Sequence, residues 1–82
     1  MIEPTVGRVV WYRPGGSMKD QPCAAIVTYV HGSSMVNLVV FSPEGSPLAR
    51  TSVVLRQEED PIPQGPFCEW MPYQIGQAKK NA

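Results

Sequence analysis

This 82-residue chain is poor in side chains that do chemistry. It holds one histidine, two cysteines and 17% charged residues, and its seven basic and seven acidic side chains cancel to a formal net charge of zero. A neutral chain is a poor candidate for a protein held on duplex nucleic acid by counterion release. No apolar run approaches the ~20 residues that a membrane-spanning helix needs. The opening MIEPTVGRVV carries Glu3 and Pro4 where a secretory leader would have basic residues followed by an apolar stretch. A soluble, cytoplasmic protein with no membrane partner is the expectation. Cys23 and Cys68 lie 45 positions apart, each in an apolar stretch and without the spacing of a zinc site, so they are expected as buried thiols rather than a disulfide.

Catalytic signatures are missing as well. The chain has no GxGxxG, no Walker-type loop, no GxSxG and no HExxH. Acid–base catalysis needs a base near a nucleophile, or two carboxylates with separated pKa values. His31 stands beside Ser33 and Ser34 in what reads as a polar turn, and Glu58, Glu59 and Asp60 are consecutive, so their carboxylates diverge into a solvated face. The reading is a protein that is not an enzyme, with no metal and no cofactor.

What the chain does have is 43% hydrophobic residues, nine prolines and seven glycines, arranged as short Val- and aromatic-rich runs broken by Pro and Gly. That is the pattern of an all-β domain. Five strands are predicted, over residues 7–13 (GRVVWYR), 23–30 (CAAIVTYV), 35–41 (MVNLVVF), 49–56 (ARTSVVLR) and 67–71 (FCEWM). Pro14-Gly15-Gly16 closes the first and supplies residues free to take positive φ, residues 31–34 make a four-residue hairpin connection, and 42–47 (SPEGSP) make a turn. The acidic, proline-rich stretch 58–66 reads as an extended surface loop, and the tail after Pro72 has weak helical propensity interrupted by Gly76. A small five-stranded, partly open barrel of the SH3-like kind fits this order, with an OB-like barrel as the alternative. It forms one domain over residues 1–78, followed by a short tail at 79–82.

Strict alternation puts Val36, Leu38 and Val40 on one face of the third strand and Asn37, Val39 and Phe41 on the other. In the second strand it puts Ala24, Ile26 and Val30 opposite Ala25, Val27 and Tyr29. Both faces carry apolar groups. The outer one is therefore expected to meet another copy, giving a homo-oligomer, most cheaply a two-fold pair.

Aromatics and arginines also recur side by side, as Trp11-Tyr12-Arg13, Tyr29 with His31, Arg50-Thr51-Ser52, and Glu69-Trp70 with Tyr73. Flat rings stack on bases, guanidinium groups pair with phosphate, and hydroxyls complete a phosphate cradle. The expected ligand-binding set is Arg8, Trp11, Tyr12, Arg13, Tyr29, His31, Arg50, Thr51, Ser52 and Trp70, with a small nucleotide as ligand. Core and interface packing explains each aromatic equally simply, and a single-stranded nucleic-acid platform would use the same rings.

The segments VGRVVWY, PCAAIVTYVHG, MVNLVVFSPEG, ARTSV and FCEWMPYQIGQ together resemble a group of small proteins of tailed bacteriophages and prophages, over residues 6–77. In size and style that group is similar to anti-defence sponges, oligomers that sequester cyclic-nucleotide or cyclic ADP-ribose-type immune signals without cleaving them. The resemblance implies such a role in the host cytoplasm. The alternative it leaves is a virion component or protein-interaction module of a phage.

Overall fold

In a computed structural model, which describes residues 1–15 and 18–80, the chain forms five strands and one helix: β1 Val9–Arg13, β2 Cys23–Gly32, β3 Met35–Phe41, β4 Pro47–Arg56, β5 Phe67–Glu69 and α1 Pro72–Lys80. The strands close a barrel in the order β1-β2-β3-β4-β5. The sheet is a meander, without the Greek-key crossing an OB-like barrel requires. The barrel is closed rather than partly open, because the three residues of β5 bridge both edges. Trp11, Tyr12 and Arg13 pair antiparallel with Glu69, Cys68 and Phe67, while Val54, Leu55 and Arg56 pair parallel with Phe67, Cys68 and Glu69.

The core is the inward row of each strand: Val10 and Tyr12, Ala25 and Val27, Val36, Leu38 and Val40, Val53 and Leu55, then Cys68, with Trp70 beyond β5. In β3 the alternation is as the sequence predicts. In β2 it is not. Val27 faces Leu38 but Tyr29 faces Asn37, so Thr28 is an extra residue that reverses the side-chain phase. Tyr29 therefore points outward, and Val30, paired with Val36, packs against the core.

A second irregularity lies in β4. Leu38 pairs with Arg50 and Val36 with Val53, so Thr51 and Ser52 together oppose Asn37, and Ser52 takes a left-handed φ of 51°. The β2–β3 connection is tighter than expected, since Gly32 pairs with Met35 and leaves only Ser33 and Ser34 in the turn. The 42–47 turn is built as predicted. Gly45 at φ 92° donates its N–H to Ser42 O (2.8 Å), and Ser42 Oγ accepts from Ser46 N (3.1 Å). Gly16 lies outside the described residues, and the φ of Gly15 is not positive.

The tail is more ordered than its composition predicts. Pro72 sits in the first helical turn, where its missing N–H costs nothing, and Gln74 Oε1 accepts from Met71 N (2.7 Å), half of a capping box. Gln74 Nε2 also donates to Val9 O (2.7 Å), and Ile75 packs against the core. These contacts carry the helix through Gly76 and past position 78, to Lys80; Asn81 and Ala82 lie outside the described residues. No helix among the described residues is long and apolar enough to cross a membrane.

Candidate functional site

The expected ligand-binding residues divide into three groups. Tyr12 and Trp70 are core residues, 5% and 2% exposed, so neither ring has a face open to a base. The Trp70 indole donates to Gln57 Oε1 (3.2 Å), and the guanidinium of Arg8 covers its ring at 5.3 Å. Arg13 is also spent. Its Nε is paired with Glu69 Oε2, both side chains being 8% exposed, and its Nη1 donates to Asp20 O (2.8 Å). Arg56 Nη1 reaches the other oxygen of Glu69 at 3.4 Å, so one buried carboxylate holds two guanidinium groups at the strand that closes the barrel.

The second group stays outside and assembles around Asn37. Its Oδ1 accepts from Ser52 N and from His31 Nε2, both at 2.8 Å, and Tyr29 meets His31 edge-on with centroids 4.9 Å apart. The β4 bulge is what brings Ser52 N to this amide. Thr51 is exposed beside it, and Arg50, opposite Leu38, donates to Ala49 O (2.8 Å) and is otherwise exposed. Of the ten expected residues, then, Tyr29, His31, Thr51 and Ser52 share one small polar patch with Arg50 at its border. Arg8 and Trp11 lie elsewhere.

Three side chains outside the expected ligand-binding set prove central: Asn37, Glu69 and Gln57. Gln57 is 6% exposed and uses its whole hydrogen-bonding capacity: Nε2 donates to Ile2 O (2.9 Å) and Ser33 O (3.1 Å), and Oε1 accepts from Ile2 N (3.2 Å) and Trp70 Nε1. It stands at the floor of a groove of about 350 Å³ between the N-terminal segment, the 57–60 turn and α1. Asp60 Oδ2 caps Gln57 N (3.0 Å) and Glu58 pairs with Lys79 (2.7 Å), so two of the three consecutive acids serve local structure. The described residues contain no group of three or more metal-ligating side chains. Both thiols are free: Cys68 is buried, and that burial pushes its pKa up to about 12, while Cys23 is half-buried.

The third element is the outer wall of β1 to β4. Register places Val9, Ile26, Val39 and Ala49 side by side across four strands, and two residues along each strand come Trp11, Ala24, Phe41 and Pro47. All eight are uncharged and apolar, and they range from half-buried to exposed, with Val9 at 41%. Ala24, the smallest of its row, leaves a hollow of about 410 Å³ between Trp11 and Phe41, walled by the 21–23 and 42–43 segments. The alternating apolar groups of β2 and β3 carried the signal for this wall in the sequence; its continuation onto β1 and β4 needed the register. No protein-family model matches the chain, and no curated protein or solved structure matches it.

Proposed function

We propose that the chain is a non-catalytic interaction module that takes a protein partner on the outer wall of β1 to β4. The carrying observation is the pair of adjoining apolar rows, eight side chains in strand register without a charge among them. Contiguous exposed apolar surface on a small domain marks an interaction site, because leaving it in water costs about 25 cal/mol per Å². The test is comparative binding. Val39→Lys puts a charge in the middle of the wall on β3, whereas Val54→Lys puts one on an exposed position of β4 outside the two rows. A partner held by wild type and by Val54→Lys but lost by Val39→Lys supports the reading; one bound equally by all three refutes it.

A second reading, sequestration of a small nucleotide-derived signal, has one favourable observation: Tyr29, His31, Thr51 and Ser52 share a patch beside exposed Arg50. The resemblance to small tailed-phage proteins makes that signal one of host immunity. It is the weaker reading, since Arg13, Tyr12 and Trp70 are committed elsewhere and Tyr29, His31, Thr51 and Ser52 are all exposed. A melting screen against cyclic nucleotides and cyclic ADP-ribose isomers tests it. A ligand at 100 times its Kd adds about 2.7 kcal/mol to the native state, so a selective rise in Tm that Arg50→Ala abolishes would favour this reading over the first.

A further inference from the structure

We infer that the partner adds an extended segment as an antiparallel strand to the open edge of β4, over residues 47–51, and sets a carboxylate of that segment on Arg50. The inference rests on the interaction-module reading and deepens it, because Pro47 and Ala49 end the two apolar rows at this edge. β5 is too short to cover the whole of β4. β3 pairs with β4 from Pro47 to Val54, whereas β5 pairs only with Val54, Leu55 and Arg56. Among the described residues, then, the stretch 47–53 has a strand on one side alone.

The hydrogen-bonding phase of the edge follows from the 42–47 turn. Ser42 N donates to Ser46 O (2.9 Å), so in alternation Ser46, Leu48 and Arg50 direct their main-chain groups to β3, and Pro47, Ala49 and Thr51 direct theirs to the open side. Among the described residues, the bond made on that side is the strand's own: Arg50 Nη1 donates to Ala49 O (2.8 Å). Leu48 and Arg50 lie opposite buried Val40 and Leu38, in the inward phase, yet both are exposed, Leu48 at 43%. An inward-phase leucine stays in water here because no strand continues the sheet past it.

These groups define the occupant. The N–H groups of Ala49 and Thr51 and the carbonyls of Pro47, Ala49 and Thr51 are matched by an extended backbone, the Ala49 carbonyl being released when Arg50 turns to the partner's carboxylate. In a register centred on Ala49, the partner residues opposite Ala49 and Thr51 exchange both bonds with them, and the one opposite Pro47 donates a single bond. Between them, the residue facing Arg50 carries the carboxylate and the residue facing Leu48 is apolar. Pro47, which lacks an N–H, and the bulge at Ser52 bound the site at about five residues. A second copy of β4 does not supply this pattern: centred on Ala49, it sets its own Leu48 against Arg50 and brings no carboxylate.

The probe is an end-blocked peptide with the core Thr-Glu-Val-Leu-Val, titrated to millimolar concentration into isotope-labelled protein and followed by NMR. Wild type should bind it, with the Ala49 and Thr51 amides shifting and gaining at least tenfold protection from hydrogen exchange. Ala49→Pro removes the outward N–H and leaves the β3 ladder intact, so it should weaken binding at least tenfold while circular dichroism shows the fold kept. Arg50→Glu should weaken binding as well, and binding should recover when the peptide's Glu is exchanged for Lys; that recovery keeps the test open if Ala49→Pro fails to fold. Unmoved amides in wild type, or binding indifferent to both substitutions, would overturn the inference. A wild type that self-associates and is made monomeric by Ala49→Pro in sedimentation equilibrium would also overturn it, giving the edge to a second copy. The wall is judged separately. A partner indifferent to Val39→Lys refutes the wall whatever the peptide does, and a partner lost by Val39→Lys but held by Ala49→Pro refutes the edge alone.

Discussion

Replacing Gln57 with alanine would sever a polar knot that joins four parts of the chain. The amide holds both backbone groups of Ile2, the carbonyl of Ser33 in the β2–β3 turn, and the indole N–H of Trp70. Truncation leaves all four without their partner. The indole matters most, because Trp70 is 2% exposed and its N–H has Gln57 as partner; an orphaned buried donor costs about 1–3 kcal/mol. The two Ile2 groups border a groove that water can enter, and Ser33 is half-buried, so each of the three bonds loses only the ordinary net value of a hydrogen bond, about 0.5–1 kcal/mol. The sum is about 2.5–6 kcal/mol, in a domain whose whole stability is expected at about 4–12 kcal/mol. Urea unfolding followed by tryptophan fluorescence and circular dichroism would read this as a lower midpoint at unchanged slope, and thermal melting as a fall on the order of 15 °C or more. Trp70→Phe closes the cycle. It deletes the donor and keeps most of the ring, so its combination with Gln57→Ala should cost at least 0.5 kcal/mol less than the two single changes added together, about the smallest coupling expected of contacting residues. A loss below about 1 kcal/mol for Gln57→Ala would refute the reasoning, because the amide would then be exchanging freely with water.

Further outcomes follow from single residues. Ser52→Val should cost about 1–2 kcal/mol, since a β-branched side chain does not tolerate φ 51°, while Ser52→Gly should stay within about 0.5 kcal/mol of wild type; equal effects in denaturant titrations would count against strain at the bulge. Gly76→Ala should stabilise by about 0.5–1 kcal/mol, because its Cβ would meet nothing within 4 Å and the position is helical; a lower Tm would contradict the helix. Glu69→Ala should cost about 3–5 kcal/mol, because it removes the carboxylate that neutralises the buried guanidinium of Arg13 beside that of Arg56; a near-neutral result in the same titration would mean that solvent reaches the network. The Cys68 thiol, raised from 9.0 to about 12 in the folded chain, should resist alkylation until unfolding. Because the unfolded thiol ionises first, stability is fully present below pH 9 and falls as pH climbs from 9 toward 12. Cys68→Ala should lack that part of the alkaline slope, and an identical slope would show that another group is responsible.

Much of the barrel was written in the sequence, and the gaps have physical causes. Alternation in β3, the SPEGSP turn and the five apolar runs are local signals, each set within a few residues, and all five strands appear at or near their expected places. Thr28 defeated the reading of β2 because a bulge changes the side-chain phase without changing composition; only pairing with β3 exposes it. The helix was underestimated. Gly76 argued against it, while Pro72 and Gln74 at capping positions argued for it more quietly, and Ile75 gains its burial only from the finished barrel. The candidate site was harder still. Trp11-Tyr12-Arg13 alternates across a strand, so Tyr12 enters the core while Trp11 stays half-buried, and Arg13 is buried against Glu69 only because β5 returns to β1 from 56 residues away.

That return has a consequence in time. The barrel is closed by three residues that pair with the first strand and, in parallel, with the fourth, so neither seam can form until nearly the whole chain is available. The β2–β3 and β3–β4 hairpins need only short loops and can form early, but they leave one apolar sheet surface uncovered until β5 arrives. Folding should therefore be limited by the entropy of bringing distant segments together, and fall toward the slow end for domains of this size, in milliseconds to seconds. Until the last strand docks, the inner row of the sheet is as bare as the outer wall.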